Sequence, residues 1–128
     1  MPRLPRPTDS ELAILRVLWD RGPSTVRAVH EALLGSRETG YTTTLKLMQI
    51  MAAKGLVTRD ESERTHVYTA RLTQDQTQRQ LVADLVQRAF GGSAAALMQQ
   101  ALSAQPTSPD ELKKIQQLID DYKKGSPR

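Results

Sequence analysis

Over the first 55 residues hydrophobic positions recur at three- and four-residue spacing, and glycine or proline interrupts the pattern between segments. Leu12, Leu15, Leu18 and Trp19 line one helical face, preceded by Thr8-Asp9-Ser10-Glu11 at capping-box spacing and stopped by Arg21-Gly22-Pro23. Val26, Val29 and Leu33 form a second stripe behind Ser24, a candidate cap, and Leu34-Gly35-Ser36 closes it. After a polar loop, Arg37 to Gly40, a third helix is predicted with two distinct faces. Thr44, Leu47, Met48 and Met51 share one, which calls for a core, while Thr42, Thr43, Lys46 and Gln49 share the other, which calls for a partner. Three successive threonines are poor helix formers, so a helix that begins with them has a use for their hydroxyls. Gly55 stands where a left-handed residue ends the helix. Leu56 to Asp60 and Thr65 to Ala70 then flank a charged turn, Glu61 to Arg64, and read as a hairpin.

Three helices followed by a hairpin is the order of a winged helix-turn-helix. Beyond Leu72 the pattern is helical only. Thr73 and Gln76 head a segment carrying Leu81, Val82, Leu85, Val86 and Phe90, which ends at Gly91-Gly92; Ser93 to Leu102 makes a short fifth helix containing Leu97. Ser108-Pro109 opens a sixth, with Leu112, Ile115, Leu118, Ile119 and Tyr122 in one stripe and an end near Lys124. One apolar stripe per short helix is too little to close a core alone, so these helices are expected to pair with a second copy. The dimerisation set is Leu81, Leu85, Phe90, Leu97, Leu112, Ile115, Leu118, Ile119 and Tyr122. The expected protein is mainly α with a small β-hairpin: a flexible arm over 1–7, a winged-helix domain over 8–72 and a helical dimerisation domain over 73–128.

A chain of 128 residues has room for one ordinary domain, or a small one with a dimerisation appendage. Its 18 Lys and Arg against 14 Asp and Glu, and its pI near 9.7, suit an anionic partner, and most of the basic excess lies before Leu72. With one Trp, one Phe and three Tyr, the chain is poor in the aromatic platforms that single-stranded nucleic acids stack on. Duplex DNA is the better candidate. The lack of cysteine excludes disulfides, thiolate metal sites and cysteine nucleophiles. Short apolar runs and an N-terminus without an apolar signal core point to an untargeted, cytoplasmic protein with no membrane partner.

The chemistry-bearing residues cluster on the third helix and the hairpin. Thr42 and Thr43 can bond phosphate or a base edge, and a Thr methyl can meet a thymine methyl; Lys46 can reach guanine acceptors and Gln49 an adenine edge. A merely solvated helix face is the plainer reading of the same four residues. Arg59 and Arg64 bracket the hairpin tip, where phosphate favours the guanidinium fork, although Glu61 and Glu63 oppose it. Tyr41 can bond a phosphate at the helix start or pack against the second helix. His30 and His66 make a poor metal set, Asp120-Asp121 sit among lysines as a solvated face, and Trp19 belongs to a core. No catalytic constellation is present, so the chain is read as a non-enzyme without a cofactor. A protein-interaction module with an idle DNA face and a small-molecule-gated regulator are the alternatives.

Taken with their order and spacing, five segments make the chain resemble the penicillinase-repressor (BlaI/MecI) family of winged-helix regulators. They are Thr8 to Glu11 with Val17-Leu18-Trp19; Pro23 to Val29; Tyr41 to Thr44 leading to Lys54-Gly55-Leu56; Arg64 to Tyr68; and Phe90 to Ser93. The resemblance implies a homodimeric transcriptional repressor on a pseudo-palindromic operator, with the N-terminal domain on DNA and the C-terminal helices in the dimer. The partners it implies are double-stranded operator DNA, a second copy of the chain and a regulatory protease or signalling protein. Best-known members are cut at an Asn-Phe bond, and the matching position here is Gln99-Gln100, so induction by proteolysis is not carried over. Ile50 stands where the family often has an arginine, so its operator sequence is not carried over either. Copper sensing through C-terminal cysteines is excluded.

Overall fold

The computed structural model describes residues 6–36 and 39–125, divided into two compact units, one up to Val82 and one from Ala83 onward. Residues 1–5 of the expected arm, and Arg37 and Glu38 of the expected loop, lie outside the described residues. The first unit contains α1 (Asp9–Arg21), α2 (Val26–Leu33), α3 (Tyr41–Lys54), β1 (Val57–Asp60) and β2 (Val67–Ala70). The element α4 (Gln74–Ala89) begins in it, and α5 (Ala94–Ala104) and α6 (Pro109–Gly125) belong to the second unit.

The start of α1 is fixed by the capping box that its spacing predicts: Thr8 Oγ1 accepts from the Glu11 N–H, and Glu11 Oε1 accepts from the Thr8 N–H. The stripe differs slightly from the expected one. Ile14, Leu15 and Leu18 are buried, while Leu12 and Trp19 are half-covered at the edge. Trp19 still anchors the fold, since its indole Nε1–H donates to the Leu72 carbonyl at 3.0 Å. The cap of α2 is Thr25 and not Ser24: Thr25 Oγ1 accepts from the Ala28 N–H. Ser24 is engaged elsewhere, exchanging backbone hydrogen bonds of 2.9 and 2.8 Å with Tyr68 and donating its hydroxyl to the Gly22 carbonyl. That bridge ties the head of α2 to the hairpin.

The end of α3 is a left-handed glycine. Gly55 has φ 85° and ψ 14°, and the Leu56 N–H reaches back to the Met51 carbonyl at 2.9 Å, directing Leu56 and Val57 into the core. Strands β1 and β2 pair antiparallel with Val57 opposite Ala70 and Arg59 opposite Tyr68. The second strand begins two residues later than expected, because Thr65 and His66 belong to the turn. Ile14, Leu15, Leu18, Val26, Val29, Leu33, Met48, Met51, Leu56, Val57 and Tyr68 make one continuous core drawn from all three helices and both strands.

The first turns of α4 still belong to this unit: Thr73 and Gln76 form a reciprocal cap, and Thr77 is buried. The second unit is built differently. Ser93 and Ser108 cap α5 and α6, yet neither helix contains a buried residue. Among the described residues, no helix is long and apolar enough to cross a membrane.

Candidate nucleic-acid interface

Two faces of α3 are chemically distinct because its sequence alternates them at helical period. Thr44, Met48 and Met51 are fully buried, and Leu45 and Leu47 are partly so. On the outward side Thr42, Thr43, Lys46, Gln49 and Ile50 are exposed. All four residues expected as the polar face therefore stand together in water on a helix of 14 residues. The helix starts at Gly40 with no side-chain cap, so its first N–H groups are left to solvent or a ligand.

Tyr41, the first residue of α3, rests against α2, the second of the two placements the sequence left open, and stays 40% exposed. Its ring meets His30 edge to face, with centroids 5.8 Å apart at 87°, and the Arg27 guanidinium lies 5.5 Å from its centroid. Arg27 is an exposed cation beside the head of α3 that the sequence reading missed. Its only sequence signal is a place in the first turn of α2, next to a tyrosine distant in the chain.

The hairpin separates its two arginines. Arg59 Nε donates to Glu61 Oε2 at 2.6 Å, and the Tyr68 side chain opposite, then Glu61, favour its charged form. Arg64 is exposed and makes no ion pair with another described residue. Asp60 accepts from the Ser62 N–H at 2.9 Å, which lowers its carboxyl below the ordinary value and closes the turn between the two arginines.

Lys54 is withdrawn from the outward face. Its Nζ donates to Glu11 Oε1 at 2.8 Å and Oε2 at 3.0 Å, joining the end of α3 to the head of α1. Burial pushes the Glu11 carboxyl up, but the hydrogen bonds from Lys54 and Thr8 and the lysine charge outweigh it, leaving it below its usual range. Nothing in the sequence marks this pair, since the two residues are 43 positions apart. At the same end, Arg71 Nη1 donates to the Gly55 carbonyl at 3.2 Å. No group of three or more His, Asp or Glu that could hold a metal ion occurs among the described residues.

From Leu81 onward, most of the residues expected to dimerise are surface residues of a single chain. Leu85, Leu112, Leu118, Ile119 and Tyr122 are exposed, Leu118 and Tyr122 to 67%, while Leu81, Phe90, Leu97 and Ile115 are partly covered.

The profile of the penicillinase repressor family matches residues 7–121. The transcriptional regulator BlaI of Mycobacterium tuberculosis, in strains CDC 1551 and H37Rv alike, is 38% identical over 101 residues, 77% of this chain and 73% of that protein. The solution structure of the DNA-binding domain of the repressor BlaI superimposes with a TM-score of 0.51 at 22% identity, covering 58% of this chain and 90% of that one. The monomeric form of Bacillus licheniformis BlaI, solved with the blaP half-operator, gives 0.51 at 21%, covering 59% and 92%. These two likenesses establish the winged-helix fold. The family profile and the mycobacterial relative go further: the chain belongs to the penicillinase repressor family, whose members are transcriptional regulators and not enzymes.

Proposed function

We propose that the chain is a sequence-specific repressor that binds an operator as a homodimer, with α3 in the major groove and the hairpin on flanking backbone. The observation that carries this reading is the split of α3, whose buried Thr44, Met48 and Met51 hold rigid an outward row of Thr42, Thr43, Lys46 and Gln49. The groove admits one helix, and these side chains offer it hydroxyls, an ammonium and an amide. Arg64, unpaired among the described residues, is the better hairpin contact for phosphate; Arg59 is already held by Glu61. Tyr41 and Arg27 extend the same surface at the head of α3. The Bacillus licheniformis relative was solved on a half-operator, which supports duplex DNA as the partner here.

The division of labour into 8–72 for DNA and 73–128 for the dimer belongs to the same proposal. The apolar side chains that α5 and α6 leave in water suit a second copy of this chain, and two-fold symmetry then calls for a pseudo-palindromic operator. Repression follows from occlusion of the promoter, in the cytoplasm. Gln99-Gln100 stands in place of the Asn-Phe bond, so a regulatory protease or signalling partner relieves repression by a route other than that cut.

The test is retention on a column of random duplex DNA and elution by salt. The native chain is expected to bind and elute at moderate salt. A Thr43→Ala/Lys46→Ala/Gln49→Ala variant is expected to elute earlier and to lose any preference for a selected operator. Equal behaviour of the two proteins would remove α3 from the interface. No retention of the native chain would favour a protein-interaction module.

A further inference from the structure

Ile50 is 41% exposed on the outward side of α3, in the same row as the residues proposed to face DNA. Lys46 precedes it by one turn and Thr43 by two, so the three form one ridge along the helix. With a rise of 1.5 Å per residue, Thr43 and Ile50 lie about 10 Å apart along the axis, roughly three base-pair steps, with Lys46 between them. A β-branched residue is a mediocre helix former and gains little from half-exposure to water, so its place is not explained by the stability of α3. Its neighbours on the ridge carry a hydroxyl and an ammonium. An apolar group at that point needs an apolar counterpart in the partner.

Among the four bases, only thymine turns an apolar group, its 5-methyl, toward the major groove. The edges of guanine, cytosine and adenine present donors and acceptors that an isoleucine side chain cannot satisfy, so pressing Ile50 against them would leave polar groups unpaired. We propose that Ile50 is a specificity-determining residue that reads a thymine methyl group in each operator half-site, through the attraction of one match and the penalty on the other three. The inference rests on the assignment of α3 to the major groove. It adds a base preference that the polar residues of the ridge do not supply.

The experiment begins by selecting a preferred duplex from a random-sequence library with the full chain. Each thymine is then replaced singly by deoxyuridine, which lacks only the methyl, and affinity is measured by fluorescence anisotropy for the native chain and for Ile50→Ala. The native chain is expected to lose about fourfold at one thymine per half-site, the worth of one buried methyl. Ile50→Ala is expected to bind the parent duplex several-fold more weakly and to be indifferent to uracil at that position, while its circular dichroism matches the native protein. Sensitivity to uracil that is the same in both proteins, or absent from both, would overturn the inference and leave the major-groove assignment of α3 standing. A selection that enriches no sequence would overturn both.

Discussion

At the scale of single residues, the Glu11–Lys54 pair shows how a polar sequence position becomes a core support. Thr8 and Glu11 are legible as a capping box, and the structure forms it. The same spacing gives no hint that Glu11 is buried or that Lys54 reaches its carboxylate, because that contact exists only once α3 has packed across α1. Glutamine keeps the cap but not the charge, so Glu11→Gln is expected to cost about 1–3 kcal/mol in urea unfolding at neutral pH. Since the folded carboxyl titrates below its unfolded value, its contribution is complete above the ordinary glutamate range and fades as pH falls through the lower folded value. The native protein and Glu11→Gln should therefore converge in stability on acidification; a gap that widens toward low pH would show that Glu11 is not held as a carboxylate. Packing of Tyr41 against α2 is one of the two readings its sequence offers, but that Arg27 and His30 are its neighbours there was hidden for the same reason, since no local pattern specifies how the two helices cross.

At the scale of elements, α3 was the most legible part of the chain, because its two faces and its stop signal are both written locally. Met48, Met51 and Thr44 are buried as their spacing requires, and Gly55 ends the helix in the left-handed region. A Cβ at Gly55 would meet only Arg71 Nη1, at an ordinary 3.5 Å, so the cost of Gly55→Ala is conformational and not steric. It is expected to be about 1–2 kcal/mol by thermal or urea unfolding. A neutral substitution would mean that the turn into β1 can be made another way. The hairpin was less legible. Composition placed a turn between Leu56 and Ala70, but the alternating polar residues around His66 could not say where the second strand begins. Of the two arginines that bracket its tip, Arg64 was the better candidate for phosphate from the sequence. Arg59 found Glu61 just beyond the end of its own strand, whereas Arg64 makes no ion pair with another described residue.

For the whole molecule, the winged-helix unit closes its own core and the second unit does not, which is why the proposed dimer belongs to α5 and α6 and their neighbours. A charge at Leu118, 67% exposed in one chain, costs that chain little and a two-fold interface a great deal. Leu118→Asp is expected to shift sedimentation at micromolar concentration from dimer to monomer, with the circular dichroism of the helices retained. An unchanged dimer would move the interface elsewhere. The function proposed for the molecule stands on α3 entering duplex DNA, and the dependence of affinity on salt reports that contact. For Lys46→Ala, titrated against a selected operator over a series of salt concentrations, binding should weaken by about five- to tenfold, and the slope of log affinity against log salt should fall by about one unit if Lys46 lies on phosphate. A lysine spent on a base edge would relax discrimination at one base pair and leave most of the slope. Unchanged affinity, slope and sequence preference together would contradict the placement of α3 in the groove.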